Sequence, residues 1–325
     1  MMNILLNLKK SVVKQSYYIS DDELKAALIE FRHLQDILRW GLSQFNKANL
    51  YYGHGTDNAW DEILYLVLST LKLGPHLNPC FLGASLSLTE RRLLVENIRQ
   101  RVVDRIPTAY LVHEANFADL SFYVDARVLI PRSPIAELIQ RDFSPWIEDT
   151  KRINTVLDIG TGSGCIAIAC AYALPEAYID AVDNSKDALA VAAINVAAHK
   201  VQGQVNLMHS DLFQNLNNRV YDIIISNPPY VDAEDFANMP PEYQHEPVAA
   251  LAAGKDGLDC VIQILRQAKK YLKEKGILII EVGNSKKALI ERFPKIPFFW
   301  LEFEKGEAEI FLLTHEQLNR YAQDI

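Results

Sequence analysis

The sequence has little of what marks an exported, membrane-spanning or metal-dependent protein. Its 325 residues include four cysteines, Cys80, Cys165, Cys170 and Cys260. None forms a C-x-x-C pair and no His cluster accompanies them, which argues against structural zinc and a disulfide framework. Buried free thiols in a reducing compartment are the expectation, and no metal site is expected. No apolar run approaches the ~18 residues of a membrane span. The opening MMNILLNLKKSVVKQ is apolar but short, and it lacks the basic-then-apolar order and the small-residue cleavage site of a signal peptide. A cytoplasmic protein is expected. Internal repeats and low-complexity tracts are also missing.

A basic surplus is absent too. Lys and Arg number 33 against 41 Asp and Glu, for a net charge of -8. Residues 1–120 carry 13 of each sign, so the acidic excess lies entirely in 121–325, with 20 basic and 28 acidic residues. Such a surface repels phosphate backbones and disfavours a protein that must grip a duplex. It suits a basic partner, or simply solubility.

What is present is an ordinary globular composition, 49% hydrophobic and 23% charged, long enough for one large domain and a smaller one. Apolar residues at helical spacing run from Asp21 and Asp22 to about Asn46, from Asn58 to Gly74-Pro75, and from Thr89 to Arg105. These predict a helical bundle. The period then changes, and Phe117, Leu120, Phe122 and Val124 predict a short β-hairpin leading into Val128-Leu129-Ile130-Pro131-Arg132. From about residue 153, strand-length apolar runs alternate with helical stretches, at Thr155–Ile159, Tyr178–Val182, Val205–Met208, Ile223–Ile225 and Ile277–Val282. This βαβ rhythm predicts an α/β fold with a mostly parallel sheet covered on both faces. Two tail strands, Phe298–Phe303 and Glu309–Leu313, predict an antiparallel edge. The expected boundaries are 1–112 for a helical domain that recognises substrate, 113–132 for a linking hairpin and 133–325 for the α/β domain.

The first strand runs into Asp158-Ile159-Gly160-Thr161-Gly162-Ser163-Gly164. Alternate glycines let the backbone turn tightly and approach a ligand as a helix begins. The dinucleotide fingerprint G-x-G-x-x-G would put its third glycine at Cys165, so a pyrophosphate cradle loses support. The loop suits a ligand with a nucleoside and an amino-acid tail. Asp183, followed by Asn184, ends the second strand and can accept both hydroxyl hydrogens of a ribose. Asp211, followed by Leu212, comes after the third strand and is placed to accept from an adenine amine. Each feature alone is weak, since a strand-end Asp is commonly a helix cap. Their order on successive strands is what makes them a site.

The fourth strand enters Asn227-Pro228-Pro229-Tyr230, beside that nucleoside site. A planar amide or aryl-amine nitrogen is a poor nucleophile because its lone pair is delocalised. Methylating it requires acceptors that hold its N–H bonds while the lone pair faces the methyl. The Asn227 side-chain oxygen and the Pro228 carbonyl are the candidates, with the two prolines stiffening the backbone and Tyr230 offering a flat face. Catalysis then comes from orientation and from stabilising charge on nitrogen.

With these residues the chain resembles the glutamine side-chain methyltransferases that act on release factors and ribosomal proteins. The resemblance covers about residues 85–315, through VLIPRSP (Val128–Pro134), LDIGTGSGCIAIA (Leu157–Ala169), SNPPYVDAEDF (Ser226–Phe236), HEPVAALAAGKDGLD (His245–Asp259) and IEVGNS (Ile280–Ser285). It implies a Rossmann-like class I methyltransferase sheet and S-adenosylmethionine as cofactor. Candidate cofactor residues are Asp158, Gly160, Thr161, Gly162 and Gly164, with Asp183, Asn184, Asp211, Leu212 and Asn227. Candidate substrate residues are Arg132, Asn227, Pro228, Pro229 and Tyr230, of which Asn227, Pro228 and Tyr230 carry the catalysis.

Release-factor enzymes read P-R-P-[ED]-T-E after the hairpin, where this chain reads Pro131-Arg132-Ser133-Pro134-Ile135-Ala136-Glu137. That form, with EVGNS, is similar to the branch acting on the third protein of the large ribosomal subunit. The stretch Val231–Gly254 carries Asp232, Glu234, Asp235, Glu242 and Glu246 and no Lys or Arg, an acidic rim for a basic protein. The expected partner is a ribosomal protein as substrate, without nucleic acid or membrane, and a homodimer is compatible with the sequence. The competing readings are a release-factor enzyme, a DNA or RNA amino-methyltransferase, and a non-enzymatic assembly module.

Overall fold

The computed structural model describes residues 17–74, 76–217, 219–303 and 309–325. The opening segment read above for a signal peptide lies outside them. The chain divides into two compact units, one of residues 1–50 and 58–106, the other of 51–57 and 107–325. The first unit ends at Ile106 rather than at 112, and the short segment Tyr51–Asp57 belongs with the second.

The first unit is helical. Where one helix was expected from Asp21 to Asn46, two form, Asp21–Glu30 and Leu34–Ala48. Ser20 caps the first through the Glu23 N–H. The break at Phe31–His33 has a local cause. Arg32 and Leu34 hydrogen-bond the backbone of Leu86 and Ala84, and Asp36 accepts from the His33 N–H at the start of the new helix. Asn58 caps Ala59–Thr70, and a Ser87–Glu90 capping box opens Leu88–Arg99. One face of each helix supplies the core, with Ile37, Phe45, Ile63, Leu66 and Ile98 fully buried. A buried Arg101–Glu62 ion pair sits in the same unit.

The second unit begins with the hairpin of β1 (Ala115–Phe117) and β2 (Leu120–Phe122). Its main sheet has seven strands: β3 (Thr155–Ile159), β4 (Tyr178–Asp183), β5 (Val205–His209), β6 (Tyr221–Ser226), β7 (Leu272–Glu281), β8 (Phe299–Trp300) and β9 (Ile310–Thr314). Their order is β5-β4-β3-β6-β7-β9-β8. The first five in that order are parallel, and β9 and β8 close the edge antiparallel. This is an α/β Rossmann-like sheet with an antiparallel edge.

Successive strand residues face opposite sides. Val156, Ile223, Ile225, Ile277 and Ile279 join a core with the helix Cys165–Ala173, while Leu157, Ile224, Leu278 and Ile280 join a second core with Asp259–Tyr271. Burial on both faces explains why these strands read as continuous apolar runs. From β3 the chain moves outward to β4 and β5, then returns to β6 on the other side of β3. The loops leaving β3 and β6 therefore emerge side by side at the switch point, where open α/β sheets bind ligands. Among the described residues, no helix is long and apolar enough to cross a membrane.

Candidate active site

Two cavities open at this edge of the sheet. The first is lined by Gly160 and Gly162 after β3, Asp183 and Asn184 after β4, Asp211 and Leu212 after β5, and Asn227 to Pro229 after β6. The second is lined by Arg132, Asn227, Pro228, Tyr230, Met239, Tyr243 and Tyr51, among others. Asn227 and Pro228, with Leu129 and Ala250, line both. The expected acceptor segment is thus the wall common to the two spaces.

The first cavity fits the ligand read from the sequence. Gly162 lies at φ +55°, and a Cβ at Gly160 or Gly162 would project into open space. The Gly162 N–H donates to Asp183 Oδ2 at 2.9 Å and the Ser185 N–H to Oδ1 at 2.8 Å. Each oxygen keeps a further lone pair, so the carboxylate can still accept ribose hydroxyls. Burial pushes the Asp183 carboxyl above its usual range, against the opposing pull of those N–H donors. Arg127 also lines the cavity, but its guanidinium is tied to Asp125 by three hydrogen bonds. Carboxylates face the space and its one arginine is already paired. That setting disfavours phosphate and favours a cationic ligand with hydroxyls.

Three expected cofactor residues do not line this cavity. Asp158 is fully buried and accepts from the Thr161 hydroxyl at 2.6 Å and the Ala167 N–H at 3.2 Å. Burial raises its carboxyl to about 7. Thr161 is spent on that bond, and Gly164 caps the helix Cys165–Ala173, packed against Ala192. These residues shape the loop from beneath, a role that a motif does not separate from ligand contact. The expectation of buried thiols is corrected as well. Cys165 and Cys170 are buried, Cys80 is exposed, and half-buried Cys260 lines the cofactor cavity.

Asn227-Pro228-Pro229-Tyr230 is non-helical, and its last two residues part company. Pro229 lines the first cavity and Tyr230 the second. Pro229, expected to hold substrate, lines the first cavity and not the second. Among the described residues, neither the Asn227 side-chain amide nor the Pro228 carbonyl makes a hydrogen bond. Two strong hydrogen-bonding groups at the junction are left for a ligand to satisfy.

Tyr230 is held at three points by the IEVGNS stretch. Its hydroxyl donates to Glu281 Oε1 at 2.9 Å, and its carbonyl accepts from the Ser285 hydroxyl at 2.7 Å. Its ring lies so close to Gly283 that a Cβ there would come within 2.4 Å of it. Arg132 does border the second cavity, but its guanidinium is committed. It donates to Glu246 Oε1 at 2.6 Å and Oε2 at 2.8 Å, and it lies over the Tyr243 ring at 5.3 Å. Glu246 also accepts from the Ile130 N–H at 3.0 Å, and His54 Nε2 lies 3.5 Å from it. Burial alone would raise the Glu246 carboxyl; His54 and Arg132 outweigh it and hold it down to about 2.

The acidic rim needs correction. Glu242 and Glu246 are buried, at 0% and 3% exposure. Glu242 accepts from the Tyr51 N–H at 3.1 Å. Only Asp232, Glu234 and Asp235 remain to face a partner, and Asp232 also caps the helix Ala233–Asn238. Sequence reasoning missed Tyr51, Tyr243, Gln263 and Glu281. For Glu281 a signal existed: an acid closing the apolar run Ile277–Ile280 of β7 must be buried with partners.

Residues 146–240 match the family model of the methyltransferase small domain. The chain is 46% identical over 288 residues to the ribosomal protein uL3 glutamine methyltransferase of Francisella tularensis subsp. tularensis, spanning 89% of this chain and 92% of that protein. It is 48% identical over 289 residues to the enzyme of the same description from Neisseria meningitidis serogroup B, spanning 89% and 95%. The chain belongs to the ribosomal protein uL3 glutamine methyltransferase family. It is a protein-glutamine methyltransferase of the S-adenosylmethionine type.

Proposed function

We propose that this chain transfers a methyl group from S-adenosylmethionine to the side-chain amide nitrogen of a glutamine in ribosomal protein uL3. The observation that carries the reading is the pair of groups without a hydrogen bond among the described residues, the Asn227 side chain and the Pro228 carbonyl, on the wall that both described cavities share. When bound, the cofactor supplies an electrophilic methyl on sulfur. Gly160 and Gly162 admit it closely, Asp183 accepts its ribose hydroxyls, and Asp211 accepts from its adenine amine. Asn227 and Pro228 take the two N–H bonds of the glutamine amide, so the nitrogen lone pair faces the first cavity. Their dipoles also stabilise the positive charge that grows on nitrogen. Tyr230 and Arg132 wall the amide in from the second cavity.

A basic ribosomal protein suits the half-buried Asp232 and the exposed Glu234 and Asp235, and such a substrate implies a reaction in the cytoplasm. Asn227→Ala is expected to lower turnover about 100- to 1,000-fold, the cost of removing one preorganised group, with cofactor affinity near wild type. Near-wild-type turnover of this variant in a radiolabelled-methyl assay would sink the mechanism.

A further inference from the structure

The hydrogen bonds around Tyr230 continue beyond it. Glu281 ends β7 and is 6% exposed. One of its oxygens accepts from Tyr230; the other accepts from the Ser133 hydroxyl, which in turn accepts from the Ile135 N–H. A single buried carboxylate thus joins the acceptor segment to the Arg132-Ser133-Pro134 turn. We infer that Glu281 and Ser133 are positioning residues for methyl transfer, setting through Tyr230 the wall against which the glutamine amide is oriented.

The inference rests on the acceptor-site reading above, and three observations support it. The phenol has one hydrogen, and it is committed to Glu281, so the ring cannot swing into the cavity without stranding a buried carboxylate oxygen. Gly283 and Ser285 constrain the ring and carbonyl of the same residue, which leaves Glu281 to fix its far end. The structure also gives the serine of the variant turn a use. A residue without a side-chain donor at 133 could not donate to Glu281.

The test is a set of variants assayed with the full chain, S-adenosylmethionine and the ribosomal protein. Glu281→Leu should lower kcat by about 100-fold, the scale of a misplaced reacting group, while KM for the cofactor stays constant. Tyr230→Phe should fall similarly, and the double variant should be no slower than the worse single within about twofold. Glu281→Gln can accept from Tyr230 and donate to Ser133 Oγ, so it should recover most of the loss. Ser133→Ala should show a smaller drop in kcat alone. If Glu281→Leu misfolds, the Tyr230→Phe and Glu281→Gln comparison still decides. Multiplying effects in the double variant, or Glu281→Gln as slow as Glu281→Leu, overturns the inference. If Asn227→Ala is also fast, the acceptor reading itself has failed; if it is slow and Glu281→Leu is fast, only the positioning role has.

Discussion

Asp183 shows how one side chain can serve both fold and ligand. Its two oxygens accept from the Gly162 and Ser185 N–H groups, fixing the glycine loop against the end of β4. On the proposed reading, removing it takes away the ribose acceptor and the brace of the loop together. Asp183→Ala should weaken cofactor binding about 10- to 100-fold, since hydrogen bonds to a charged group contribute ~1.5–3 kcal/mol. Isothermal titration checks this, and an unchanged Kd would show that the carboxylate serves the loop alone. At this scale the sequence was legible in placing residues at strand ends, since Asp183, Asp211 and Asn227 all line the first cavity. It was less legible where a motif mixes ligand contacts with supports. Asp158 and Thr161 sit in the same short run as Gly160, and only coordinates show that they hydrogen-bond each other under the loop. Glu281 escaped notice because its partners, Ser133 and Tyr230, lie 148 and 51 residues away.

Between elements, Glu246 does the most binding together. Its carboxylate joins the Tyr51–Asp57 segment through His54, the Val128–Pro134 stretch through Ile130 and Arg132, and its own loop after β6. The folded-state carboxyl lies near 2 against an ordinary 4.5. Because it is depressed, its stabilisation is complete above about pH 4.5 and is lost as pH falls toward 2, amounting to about 3 kcal/mol. Denaturant melts of wild type and Glu246→Gln should differ by a constant amount from pH 7 to 5, and the gap should shrink below that. A gap independent of pH would assign the cost to packing instead. The elements themselves were readable where periodicity was unbroken, as in all five parallel strands. The helix break at Phe31–His33 was not, because its cause is pairing with the remote backbone of Ala84 and Leu86. The Tyr51–Asp57 segment reads as a loop between helices, yet Glu242 and Glu246, from about 190 residues later, hold it.

At the scale of the molecule, the switch point between β3 and β6 turns an alternating sequence into one reaction site. The strand order brings the glycine loop and the Asn227–Tyr230 segment together, so Asn227 and Pro228 line both cavities. This much followed from the βαβ rhythm and the motif order. The charge of the rim did not, because two of its five carboxylates point inward to partners the linear sequence does not reveal. The central claim is that this geometry methylates a glutamine amide of uL3. The measurement is incubation of the purified protein and S-adenosylmethionine with uL3 and, separately, with a release factor, followed by fragmentation mass spectrometry to place the methyl. The predicted result is a single methyl on a glutamine side-chain nitrogen of uL3, formed faster than any product on the release factor. An unmodified uL3 beside a methylated release factor, or a methyl on any side chain other than glutamine, would contradict it.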